Sequence, residues 1–105
     1  MENKKFELFD TNWSIEFVDN IETSDEEGYF WFGDTNGIDK RIRVATKGLN
    51  NKNLSKKEIN LTLLHELVHA ILITGNYHDI NRDEPLIEWI AKCINSLLKQ
   101  KILKT

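Results

Sequence analysis

The sequence predicts a small α+β domain: an antiparallel or mixed sheet of three to four strands, followed by two helices. Three observations lead there. In the first half, apolar residues alternate with polar ones, as in strands with one covered face. In the second half, two stretches carry apolar residues at helical spacing. Each of those stretches opens on a capping signal. A chain of 105 residues suits one domain, spanning 1–105, with one core.

Trp13, Ile15 and Phe17 alternate with Ser14 and Glu16, which predicts a strand with one apolar side. Glu22 to Gly28, with Asp25, Glu26 and Glu27 in a row, reads as a solvated turn. Tyr29-Phe30-Trp31-Phe32 reads as a strand covered on both faces. Asp34-Thr35-Asn36-Gly37 contains Asn-Gly, a hairpin-turn signal. On the returning strand, Ile42, Val44 and Thr46 share one face, and Arg41 and Arg43 face solvent. A polar loop runs from Gly48 to Leu54.

Ser55-Lys56-Lys57-Glu58 fits the S-x-x-E capping box, so the first helix starts there, and Gly75 stops it. Its apolar positions are Ile59, Leu63, Leu64, Leu67, Val68, Ile71 and Leu72. A loop from Asn76 to Arg82 follows. Asp83-Glu84-Pro85 then opens a second helix, with a capping Asp and a first-turn Pro. That helix is expected to run to about Leu103, turning Leu86, Ile87, Ile90, Ala91, Ile94, Leu97 and Leu98 to the core. Trp31 and Trp89 are expected in the core, with an interface as the alternative, and Cys93 is expected to pack and not to react.

Composition narrows the function. The net charge of -3 argues against nucleic acid as a partner, because phosphate binding needs a basic patch. Cys93 is the only cysteine, so neither an intrachain disulfide nor a cysteine-based zinc site is expected. No apolar run is long enough for a membrane span, and no secretory signal is visible; a cytoplasmic location is expected. The sequence does not fix the oligomeric state.

The first helix carries the chemistry. His65-Glu66-Leu67-Val68-His69 reads as H-E-x-x-H inside the apolar stretch from Leu61 to Ile73. Helical spacing puts residues four apart on one face, so His65 and His69 can aim at one zinc ion. Glu66 is turned about 100° from His65, beside the metal, where a carboxylate can act as general base on water. Burying these three polar groups without partners would cost on the order of several kcal/mol. A bound metal removes that penalty.

A third protein ligand is needed. Gly75 stands six residues past His69, where a metzincin has a histidine, and His78 does not match that spacing. The second helix offers Glu84 and Glu88, four apart on one face.

With Glu88 the pattern is HExxH-x18-E, which resembles the gluzincin metallopeptidases. The run Ile87-Glu88-Trp89-Ile90-Ala91 resembles their third-ligand segment. From about Tyr29 to Leu98 the chain looks like a minigluzincin. It is similar to small phage and mobile-element metallopeptidases, and more distantly to ImmA/IrrE-type peptidases. The resemblance implies a small zincin-like fold with one Zn2+ held by His65, His69 and Glu88. Glu66 would be the base in hydrolysis of a peptide or protein substrate. It also implies a strand along the cleft near Ile42 to Thr46, Glu84 lining the cleft or capping, and an oxyanion donor from Tyr77 or His78. Larger gluzincins often carry an Asp four residues after the ligand Glu; here that position is Lys92. Support for the ligand histidines is therefore expected from Asp79, Asp83 or a backbone carbonyl. The alternative is a zinc-binding interaction module with little or no catalysis.

Overall fold

Short alternating strands and two capped helices form the computed structural model, which describes residues 1–22 and 30–102. The strands are β1 (Lys4–Leu8), β2 (Thr11–Val18), β3 (Ile21–Glu22), β4 (Phe30–Trp31), β5 (Gly33–Asn36) and β6 (Arg41–Ala45). The helices are α1 (Lys56–Thr74) and α2 (Glu84–Lys99), with single 3₁₀ turns at Leu49–Asn51 and Ile80–Arg82. Four strands make one mixed sheet in the order β1-β2-β6-β5, and only the β2–β6 pair is parallel. β3 and β4 form a separate antiparallel ribbon.

The parallel register sets Ile15 beside Ile42 and Phe17 beside Val44, aligning the apolar side chains of neighbouring strands. Trp13, Ile15, Ile42 and Val44 meet Ile59 and Ala70 of α1 in the main core. Trp13 also donates its indole N–H to Thr74 Oγ1 at 3.0 Å, tying β2 to the last turn of α1. On its other side α1 packs against α2 through Val68, Ile87 and Ala91. A helix covered on two sides needs apolar residues around most of its circumference, and the composition of α1 matches that.

Both helix starts follow the sequence signals. Ser55 Oγ accepts from the Glu58 N–H at 3.1 Å, and Glu58 Oε2 accepts from the Ser55 N–H at 2.9 Å, closing the capping box. Asp83 caps α2 by accepting from the Leu86 N–H, with Pro85 in the first turn. α2 stops at Lys99, one turn short of the expected end.

Several expectations are corrected. Asp34, Thr35 and Asn36 belong to strand β5, and the turn moves to Gly37–Lys40. Asn36 makes that turn itself, its Oδ1 accepting from the N–H groups of Ile38 and Asp39 at 2.9 and 3.0 Å. Asp34 pairs across the ladder with Arg43, so Arg43 is half-buried and ion-paired instead of simply facing solvent. Phe30 and Trp31 lie in a ribbon apart from β5, so no single strand covers this region. β6 is interior, and the sheet edge beside α1 is β5, which therefore replaces Ile42–Thr46 as the strand along the cleft.

Trp89 is 64% exposed, and Leu86, Leu97 and Leu98 are exposed too. The cause is that α2 rests mainly on α1, which covers only the Ile87, Ala91 stripe and its neighbours Ile90 and Ile94. The acidic stretch Asp25–Glu27, Tyr29 and the side chain of Trp31 lie outside the described residues. Among the described residues no helix is long and apolar enough to cross a membrane.

Candidate metal centre

α1 brings His65, Glu66 and His69 under the edge strand β5, and α2 brings Glu84 and Glu88 across from them. The two imidazole rings lie with centroids 5.0 Å apart. Both reach Glu84: His65 Nε2 is 2.9 Å from Glu84 Oε2, and His69 Nε2 is 3.1 Å from Glu84 Oε1. His65, His69 and Glu84 each place a ligand atom within 4.8 Å of the others, close enough to hold one metal ion.

The second nitrogen of each ring decides what faces the carboxylate. His69 Nδ1 lies 2.7 Å from Asn81 Oδ1, an oxygen that only accepts, so this nitrogen carries the hydrogen. His65 Nδ1 lies 2.9 Å from Glu88 Oε2 and donates in the same way. On neutral rings both Nε2 atoms then present lone pairs toward the Glu84 oxygens. Lone pairs converging from three groups need a cation between them. A proton on each ring would serve, and one metal ion serves all three groups. Two imidazole nitrogens and one carboxylate are a donor set that a divalent metal ion can share.

Glu66 is 7% exposed, lines the same cavity as His65, His69 and Glu84, and also reaches β5. Thr35 Oγ1 donates to Glu66 Oε1 at 2.8 Å. Gly33 makes room for this side chain: a Cβ there would stand 2.9 Å from Glu66 Cγ and 2.8 Å from Thr62 Cγ2. Burial raises the Glu66 pKa above its ordinary value, opposed by the Thr35 hydrogen bond and by the two histidines. A carboxylate set in a cleft with its proton affinity raised is a common feature of general bases.

The cavity over this cluster has a volume of about 560 Å³ and is also lined by Asn81 and Arg82. Tyr77 is not in its lining; that ring lies against Gly75. His78 lines a neighbouring cavity with Lys40 and Ile73. Neither of the expected oxyanion donors is therefore brought to the site. Asn81 and Arg82 were missed because a one-turn 3₁₀ segment has no periodicity to read. Their place in the short connection between the ligand helices was the available signal. The partners of the histidines are likewise Asn81 and Glu88, in place of Asp79, Asp83 or a carbonyl. Lys92 sits 3.7 Å from Glu88 Oε1.

No family model, curated protein or solved structure matches the chain.

Proposed function

We propose that the protein is a zinc-dependent metallopeptidase whose ion is held by His65, His69 and Glu84, with Glu66 as general base. The observation that carries this reading is the convergence of both Nε2 atoms on the Glu84 carboxylate beside a buried glutamate. When bound, zinc supplies Lewis acidity that makes water acidic near neutral pH and polarises a carbonyl.

The chain's own residues do the rest. Asn81 and Glu88 hold the imidazoles in the tautomer that leaves Nε2 free, as outer partners of ligand histidines commonly do. Glu66 takes the proton of the attacking water and delivers it to the departing amine nitrogen as the C–N bond breaks. Thr35 donates to Oε1 and so holds the Glu66 carboxylate in one orientation, leaving Oε2 to accept the proton. Arg82 is the cationic side chain lining the cavity and is the candidate to stabilise charge on the carbonyl oxygen. An extended peptide can add to the edge of β5 by main-chain hydrogen bonds.

The test is direct. Purified protein is expected to retain one equivalent of zinc and to cleave members of a mixed peptide library. A chelator should stop cleavage, and added zinc should restore it. Absence of stoichiometric metal from protein purified at neutral pH would refute the reading.

Thr35→Val should lower kcat by roughly ten- to a hundredfold with KM and zinc content little changed, because it leaves a buried carboxylate without its donor. Thr35→Ser should restore most of that rate; equal rates for both variants would show that the hydroxyl does not position Glu66.

A second reading, a zinc-binding interaction module, draws on Tyr77 and His78 lying outside the lining of the cavity over the centre. It predicts bound metal with no Glu66-dependent cleavage of any library member.

A further inference from the structure

A second cavity of about 530 Å³ adjoins the metal-site cavity; His65 lines both, and Arg82 lines only the latter. The second cavity shares Gly33, His65 and Glu66 with the metal-site cavity, so the two lie side by side. Its volume lies within the usual range for ligand pockets, roughly 300–1,000 Å³. The start of β5 and the first turns of α1 build its walls, with Phe32, Leu54 and Leu61 providing apolar surface.

The charged groups around those walls are of one sign. Glu58 and Glu88 join Glu66 in the lining, and among the described residues no lysine or arginine does. Glu58 is held in place by the capping box, where its Oε2 accepts from Ser55. Glu88 is held by His65 through Oε2, and its Oε1 lies 3.7 Å from Lys92 Nζ. The opposite end of the groove differs: Arg82 lines the metal-site cavity together with Asp34 and Glu84, and Lys40 and His78 line the one beyond it together with Asp34. The charged groups lining the Phe32 end of the groove are therefore carboxylates alone, and the Lys40 end carries both signs.

We propose that the cavity formed by Phe32, Leu54, Leu61, Glu58 and Glu88 is a substrate pocket that takes a lysine or arginine side chain. Such a side chain lays an apolar stem along apolar surface and keeps its charge at a polar rim, and this pocket has that layout. The proposal rests on the metallopeptidase reading only for the word substrate; the pocket is a binding site with or without cleavage.

The test uses zinc-loaded Glu66→Gln protein and fluorescein-labelled alanine-based peptides carrying one central Lys, Arg, Leu or Glu, read by fluorescence anisotropy. Lys and Arg peptides are expected to bind about tenfold tighter than Leu, and Glu weakest, with the preference shrinking at high salt. Adding Glu58→Gln should reduce the Lys-to-Leu ratio to about threefold or less. Glutamine still closes a capping box, so the helix start is retained. Leu binding as tightly as Lys, or a ratio unmoved by Glu58→Gln, overturns the proposal.

Cleavage by the wild-type protein separates the two readings. Cleavage without basic preference removes the pocket and keeps the peptidase. Preferential Lys and Arg binding without cleavage keeps the pocket and removes the peptidase. No binding of any peptide and no cleavage removes both.

Discussion

Glu84→Ala is expected to cost the protein its zinc, whereas Glu88→Ala should leave zinc bound with affinity lowered about ten- to a hundredfold. The two carboxylates are one helical turn apart and both touch His65, yet they touch different nitrogens. Glu84 faces Nε2 of both rings, and Glu88 faces Nδ1 of one. A group on Nε2 shares the ion with the rings. A group on Nδ1 acts through the ring, by fixing its tautomer and raising its basicity. Metal content after gel filtration, with competition against a chromophoric chelator, separates the two cases. The reverse ranking would make Glu88 the ligand and restore the x18 spacing as the reading of the site.

Glu66→Gln should lower peptide cleavage by about 10²- to 10⁴-fold while zinc stays bound, since general acid–base groups contribute on that scale. The same change should stabilise the metal-free protein at neutral pH. Burial raises the folded-state pKa of Glu66 above its unfolded value. The folded chain then holds this proton more tightly than the unfolded chain. Its contribution to stability is complete below the unfolded pKa, about 4.3, and is lost as pH rises through the folded value. Glutamine does not titrate, so metal-free Glu66→Gln should melt above wild type at pH 7. The gap should close as pH falls toward about 4. Melting curves in chelator across that range check it; a gap independent of pH would locate the effect in packing and not in charge.

The helices were legible because their signals are local. A capping box, a first-turn proline and a stop glycine each act within a few residues, and α1 and α2 begin where those signals lie. The sheet was legible only in outline. β1, at Lys4–Leu8, is largely exposed on an edge, and five residues give little pattern to read. The parallel pairing of β2 with β6 joins segments far apart in sequence, and no local spacing encodes it. Asp34 and Thr35 read as turn residues, but cross-strand partners hold them in the ladder.

The centre divides in the same way. His65, Glu66 and His69 follow from the geometry of a single helix. Glu84 and Glu88 occupy one face of another helix, and which of them meets both rings depends on how α2 lies across α1. That is a tertiary property. Thr35 and Gly33, which set the Glu66 side chain, come from a strand about thirty residues upstream and carried no motif.

α2 has few moorings. It leans on α1 through a narrow apolar seam and meets the short turn that leads into it, while its outer side carries Trp89 in solvent. An ion shared by His65, His69 and Glu84 would be a rivet between the two helices near the start of α2. Chelation would then act as a mechanical release more than as a global denaturant. Amide hydrogen exchange should speed up along α2 first, while the β2–β6 ladder and the Trp13 end of α1 stay protected. Metal supply would in that way govern whether the last helix is docked.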